Sequence, residues 1–200
     1  MKTNTIANAM NLFKQNAGQL RTSRAIQLGI APRTLYALRD TGQVEEVTRG
    51  VYRLSSVPVS EQTDLVQVAL RIPKGIICLI SALAFHDMTT QIPHEVYVAL
   101  PLDAEKPRLA YPPVRLFWLS PLAHSAGVEE HLLDGVTVHI YSREKTIADC
   151  FKYRNKVGLN LGLEALKEGL AQGCKPETLL EFARIDRVEK VMRPYLEALL

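Results

Sequence analysis

Nine residues between Ala31-Pro32 and Thr41-Gly42 sort by chemistry when wound as a helix at about 100° per residue. Leu35 and Leu38 fall together, with Ile30 just ahead of them. Arg33, Tyr36, Ala37 and Asp40 take the opposite side, and Thr34 and Arg39 flank it. A face of that composition has a specific chemical use. Arginine can give guanine two hydrogen bonds in the major groove of DNA, and a small apolar side chain can meet the methyl group of thymine. Arg33 is therefore the expected base reader, with Thr34, Tyr36, Ala37 and Arg39 beside it. Two further arginines follow: Arg49 at the tip of the turn Thr48-Arg49-Gly50, and Arg53 on the segment that returns from it. Either could hold phosphate or reach the minor groove. Thr22, Ser23 and Arg24 open another short helical segment, whose N-terminus would attract backbone phosphate. The competing use of these arginines is a solvated face that docks a protein.

The elements that must position these residues can be read in order. Ile6, Ala9, Met10, Leu12 and Phe13 recur at helical spacing over about residues 4–16, and Asn16-Ala17-Gly18 stops them. Thr22 is the expected N-cap of a short helix through Ala25, Ile26 and Leu28, closed by Gly29. Pro32 sits at the first position of the third helix, where its missing N–H costs nothing. Residues 44–47 and 51–54 read as two strands of a hairpin. Three helices and a small hairpin within about 54 residues give the order of a winged helix-turn-helix. Ser55 to Val59, with Pro58, reads as a linker, so the expected domains are residues 1–56 and 57–200.

In the second domain Ser60 is the expected cap of a helix that ends at Pro73-Lys74-Gly75, and Ser81 that of a short helix to His86. Residues 96–100, 114–119 and 136–141 are rich enough in β-branched and aromatic side chains to be strands. Helices are expected over about 144–155, 160–172, 177–185 and 187–199, the last kinked at Pro194. The fold class predicted is α+β: a winged helix-turn-helix followed by a mixed α/β C-terminal domain.

Composition narrows the function. Residues 1–54 hold eight Lys/Arg against three Asp/Glu, a balance of +5, whereas the other 146 residues carry 16 against 18, or −2. The positive excess belongs to the segment with the candidate DNA face. The longest apolar run, Gly75 to Phe85, is about half of the roughly 20 residues that span a bilayer, so a soluble, cytoplasmic protein without membrane contact is expected. Three scattered cysteines, Cys78, Cys150 and Cys174, suggest buried reduced thiols rather than disulfides or zinc. There is no Gly-rich phosphate loop. The five histidines never pair at i, i+4, and each reads as a surface or capping residue. Asp103, Glu105 and Lys106 lie in a loop between prolines. No enzyme, metal or cofactor is expected, with a metal-dependent nuclease as the remote alternative. One basic cluster, Arg143, Lys145, Lys152, Arg154 and Lys156, surrounds the helix Thr146–Phe151; it is either a solvated face or a docking surface for a partner.

Several blocks then carry a recognisable pattern. Gly42 to Leu54, Ser81 to Pro93 followed by Val96 to Pro101, Ser142 to Phe151, and Ala165-Leu166 together resemble the AbiEi family, over roughly residues 3–172. These are antitoxins of bacterial type IV toxin–antitoxin systems, often described as transcriptional regulators of viral defence by abortive infection. The resemblance implies an N-terminal winged helix that represses its own operon at repeated operator sequences in double-stranded DNA. It also implies a C-terminal domain that counteracts a nucleotidyltransferase-like toxin. The region after the strands is more compact here than in the longer members. A stand-alone regulator with no toxin partner is the other reading, and the oligomeric state is open in both.

Overall fold

A computed structural model describes residues 2–16, 18–48, 50–56 and 62–200. Arg49 and Ser60, and most of the expected linker, lie outside the described residues. The chain divides into two compact units, Met1–Gln67 with Leu132–Thr137, and Val68–His131 with Val138–Leu200.

The first unit begins with α1 (Lys2–Gln15), then β1 (Gln19–Arg21), α2 (Thr22–Gln27), α3 (Pro32–Asp40), β2 (Val44–Thr48) and β3 (Val51–Leu54). Periodicity explains α1: Ala9 and Phe13, at i and i+4, are buried, with Ile6, Met10 and Leu12 packed around them. The turn between α2 and α3 depends on Gly29. Its φ of +89° suits a residue without Cβ, and it lets Ile30 N–H reach back to Ala25 O at 2.9 Å, closing α2 in a Schellman-like turn. Pro32 then opens α3 as expected. Leu35 and Leu38 enter a core with Phe13, Leu20, Ala25, Ile30, Val44, Tyr52 and Leu54.

β1 is absent from the sequence reading, and it changes the sheet. The order is β1-β3-β2, all antiparallel, so β3 is the central strand of three rather than one arm of a two-stranded hairpin. All four of its residues are buried. Three residues, Gln-Leu-Arg, are too few to show an alternation.

The second unit follows α4 (Thr63–Arg71), which spans the division between the units. It contains β4 (Ile76–Ile77), α5 (Leu79–Phe85), β5 (Val96–Pro101), β6 (Val114–Leu119), α6 (Pro121–Ser125) and, apart from the residues 132–137 at their joined ends, β7 (Val128–Leu133) and β8 (Val136–Tyr141). Five helices close it: α7 (Arg143–Lys152), α8 (Arg154–Val157), α9 (Leu159–Ala171), α10 (Pro176–Ile185) and α11 (Glu189–Leu199). The sheet order is β6-β5-β4-β8-β7, with β4 antiparallel to β5 and parallel to β8, and β5 parallel to β6. Although α5 was expected to start at a Ser81 cap, its N-cap is Cys78. Ser81 is buried inside the helix and its Oγ accepts the Tyr97 N–H at 3.0 Å. The single helix expected over 144–155 is two, broken at Tyr153, and α11 runs on through Pro194.

α7 is the centre of this unit. Every residue from Lys145 to Phe151 is buried, and Ile147, Cys150 and Phe151 join Leu161, Ala165 and Leu166 of α9, Leu179 and Ala183 of α10, and Met192 and Leu196 of α11 in one core. Gly127 shows how close the packing is. A Cβ there would stand 2.6 Å from the Lys145 Cβ and 3.0 Å from the Phe182 ring. The three cysteines are free and buried.

Candidate nucleic-acid interface

The helical wheel of α3 translates directly into burial. Leu35 and Leu38 are inaccessible, while Arg33, Ala37, Arg39 and Asp40 are exposed and Tyr36 keeps 48% of its surface in solvent. Arg33 forms no ion pair with any described residue, so its guanidinium is free to meet a carbonyl, a base edge or a phosphate. It borders a cleft of about 470 Å³ with Thr34 and Ala37 of α3 and Thr5 and Ile6 of α1. Ser23 and Arg24 are exposed at the start of α2, where Arg24 reaches Gln27 Oε1 at 3.5 Å.

Three of the residues expected to touch DNA are placed otherwise. Thr34 is 7% exposed: its position beside Leu35 turns it inward at the edge of the core. Arg53 is also 7% exposed and ion-paired to Glu45, the residue directly across from it on β2. The burial follows from β1, which covers the side of β3 that a two-stranded hairpin would leave open. Thr22 is not an N-cap. Arg21 holds that place without a side-chain capping bond, and both the backbone N–H and the Oγ1 of Thr22 donate to Gly50 O, at 2.9 and 3.1 Å. Its donors tie α2 to the turn of the β2–β3 hairpin and are not available to phosphate. Arg39 is exposed but occupied, because its Nε and Nη2 both donate to Asp40 Oδ1, at 3.0 and 2.9 Å.

The basic cluster of the second unit separates as well. Arg143 and Lys156 are exposed, and Lys152 and Arg154 are half-buried. Lys145 is completely buried, which corrects its expected place on an open basic surface. Its ammonium lies 2.6 Å from Asp149 Oδ1 and 3.0 Å from Asp186 Oδ2, and Lys152 reaches the other oxygen of Asp186 at 3.0 Å. The Tyr141 ring covers the same ammonium at 4.7 Å. Burial disfavours the charge on Lys145, but attraction to the two carboxylates and the hydrogen bonds to them outweigh it, and its pKa is raised. Burial likewise pushes the Asp149 carboxyl up, against the pull of Lys145. The sequence pointed to this network only through the i, i+4 spacing of Lys145 and Asp149. Asp186, 41 residues from Lys145, had no local signal.

His86 was expected at the surface and is buried instead, its Nε2 2.8 Å from Tyr141 O. Burial depresses its pKa, and the backbone hydrogen bond only partly offsets this. A depressed pKa gives stability that is present above the unfolded value near 6.5 and is lost as pH falls through the folded value. His86→Gln keeps an amide donor and removes the titration. Its deficit relative to wild type in thermal midpoint should therefore shrink between pH 7 and pH 5; a deficit independent of pH would contradict the assignment.

Among the described residues no helix is long and apolar enough to cross a membrane, and no group of three or more His, Cys, Asp or Glu could hold a metal ion. No curated protein matches the chain. A family model does match over part of it. The model covers residues 9–55, from the middle of α1 to the end of β3, and does not extend over the later blocks that carried the resemblance in sequence. That model is described as a transcriptional regulator, AbiEi antitoxin, and the segment it matches coincides with the described winged helix-turn-helix.

Proposed function

We propose that this chain is a DNA-binding transcriptional regulator that represses its own operon and serves as the antitoxin of a type IV toxin–antitoxin system in the cytoplasm. In this reading residues 1–56 are the DNA-binding domain and residues 57–200 the antitoxin-like domain. The observation that carries it is α3, which buries Leu35 and Leu38 and leaves Arg33, Tyr36 and Ala37 outward on a winged helix-turn-helix. Arg33 reads a base edge, Tyr36 and Ala37 contact neighbouring bases, and Ser23, Arg24 and Arg49 hold the phosphates on either side. The domain acts without a cofactor and without catalysis.

A mobility-shift titration with the duplex upstream of its own gene tests this, against a shuffled duplex of equal length. Wild type should give a sequence-selective, salt-sensitive shift. Arg33→Ala should lose about 1–3 kcal/mol, concentrated at one base position. A wild-type protein that binds both duplexes equally, or neither, ends the proposal.

For the antitoxin half, Arg143, Lys152, Arg154 and Lys156 form the docking surface for a nucleotidyltransferase-like toxin. Growth on expressing the neighbouring gene, with and without this protein, is the measure. A stand-alone regulator is the second reading, favoured by the family match ending at residue 55. It prevails if toxicity is not relieved.

A further inference from the structure

Arg39 is the most basic-looking contact on α3 after Arg33, yet its surroundings give it another task. Asp40 takes two of its N–H groups on one oxygen. The Arg39 Cζ lies over the Tyr36 ring, 5.2 Å from its centre, one helical turn back on the outward face. Tyr52 of β3 is 3% exposed, and burial first, then Glu46, raises the pKa of its phenol, while Arg39 pulls it the other way. Glu46 is the cross-strand partner of Tyr52, and its carboxylate accepts the Gly50 N–H at 2.8 Å. Glu46 thus ties the turn of the hairpin to the strand position opposite Tyr52, and on α3 the guanidinium of Arg39 joins Asp40 to the exposed ring of Tyr36.

We propose that Arg39 is a positioning residue that fixes Tyr36 as a specificity-determining contact, and that it is not itself a phosphate contact. This rests on the DNA-binding reading above and deepens it. The charge of Arg39 is already answered by Asp40, so releasing it to a phosphate would break two hydrogen bonds. A side chain that holds another in place acts through geometry, whereas a phosphate contact acts through counterion release, and the two leave different marks on the salt dependence of binding.

The test uses the full chain with the upstream duplex and the shuffled duplex, titrated by fluorescence anisotropy over a salt series. For Arg39→Ala, cognate affinity should fall roughly tenfold, the size of one lost base contact, while shuffled affinity and the slope of log Kd against log salt stay at wild-type values. Arg39→Lys keeps the charge but not the planar fork, and should not rescue. Tyr36→Ala should give the same loss, and adding Arg39→Ala to it should cost nothing further. A slope reduced by about 0.9, equal weakening on both duplexes and rescue by lysine would make Arg39 a phosphate contact and overturn the proposal.

The free protein supplies a second readout. Arg39→Ala should move the ring resonances of Tyr36, and an unmoved ring overturns the proposal whether or not DNA is bound. If wild type shows no selective binding while that ring does shift, the DNA-binding reading fails and the positioning contact stands.

Discussion

Lys145→Met should lower the stability of the second unit by about 3–5 kcal/mol, the loss typical when one partner of a buried ion pair is removed. The methionine is close to lysine in length and fills the space; what it cannot do is answer two carboxylates. Asp149 and Asp186 would be left facing each other, with Asp149 Oδ2 already buried without a hydrogen-bond partner among the described residues. Lys152 approaches only the far oxygen of Asp186 and is itself partly in solvent. Urea denaturation followed by tyrosine or tryptophan fluorescence measures the loss. Combining Lys145→Met with Asp149→Leu and Asp186→Leu should restore most of it, because an apolar trio needs no counter-charge. If the single variant loses less than about 1 kcal/mol, the network is not a closed ionic core.

The second large effect belongs to α3. Leu38→Ala removes a side chain of zero exposure from a core of about ten residues, and the change should cost about 2–5 kcal/mol. In a unit this small, a loss of that size is a large fraction of the whole. Leu38 is also the residue whose carbonyl accepts the Gln43 N–H at 2.9 Å as α3 ends. Loosening it should reduce DNA binding and stability in step. The contrast is with Arg33→Ala, which should leave the denaturation midpoint unmoved. A Leu38→Ala protein of wild-type stability would mean that α3 is not anchored by its leucines.

The outward face of α3 was legible in sequence because a nine-residue amphipathic helix is a local object. Pro32 fixes its start, Gly42 its end, and two leucines three residues apart fix its rotation. The strands Val114–Leu119 and Val136–Tyr141 were legible for the same reason, as runs of β-branched and aromatic residues. What failed was what needs a partner distant in the chain. β1 is a strand only because β3 pairs with it, and without β1 Arg53 looks exposed. β4 is two residues long and would be nothing outside the sheet it centres. β7 has the sequence VEEHLL, whose charges hide a strand from pattern reading but suit one at the end of a sheet. Lys145 was read from its own helix, on which a lysine four residues from an aspartate normally faces water. The arrival of α10 and the Asp186 that follows it put that side of α7 inside.

That enclosure makes α7 a sentinel. Along its buried run, Lys145 to Phe151, the helix can meet water, a protease or an alkylating reagent only when its neighbours part. Cys150, at zero exposure and with burial holding its thiol in the unreactive protonated form, is consequently a built-in reporter: its labelling rate clocks how often the whole helical layer comes apart.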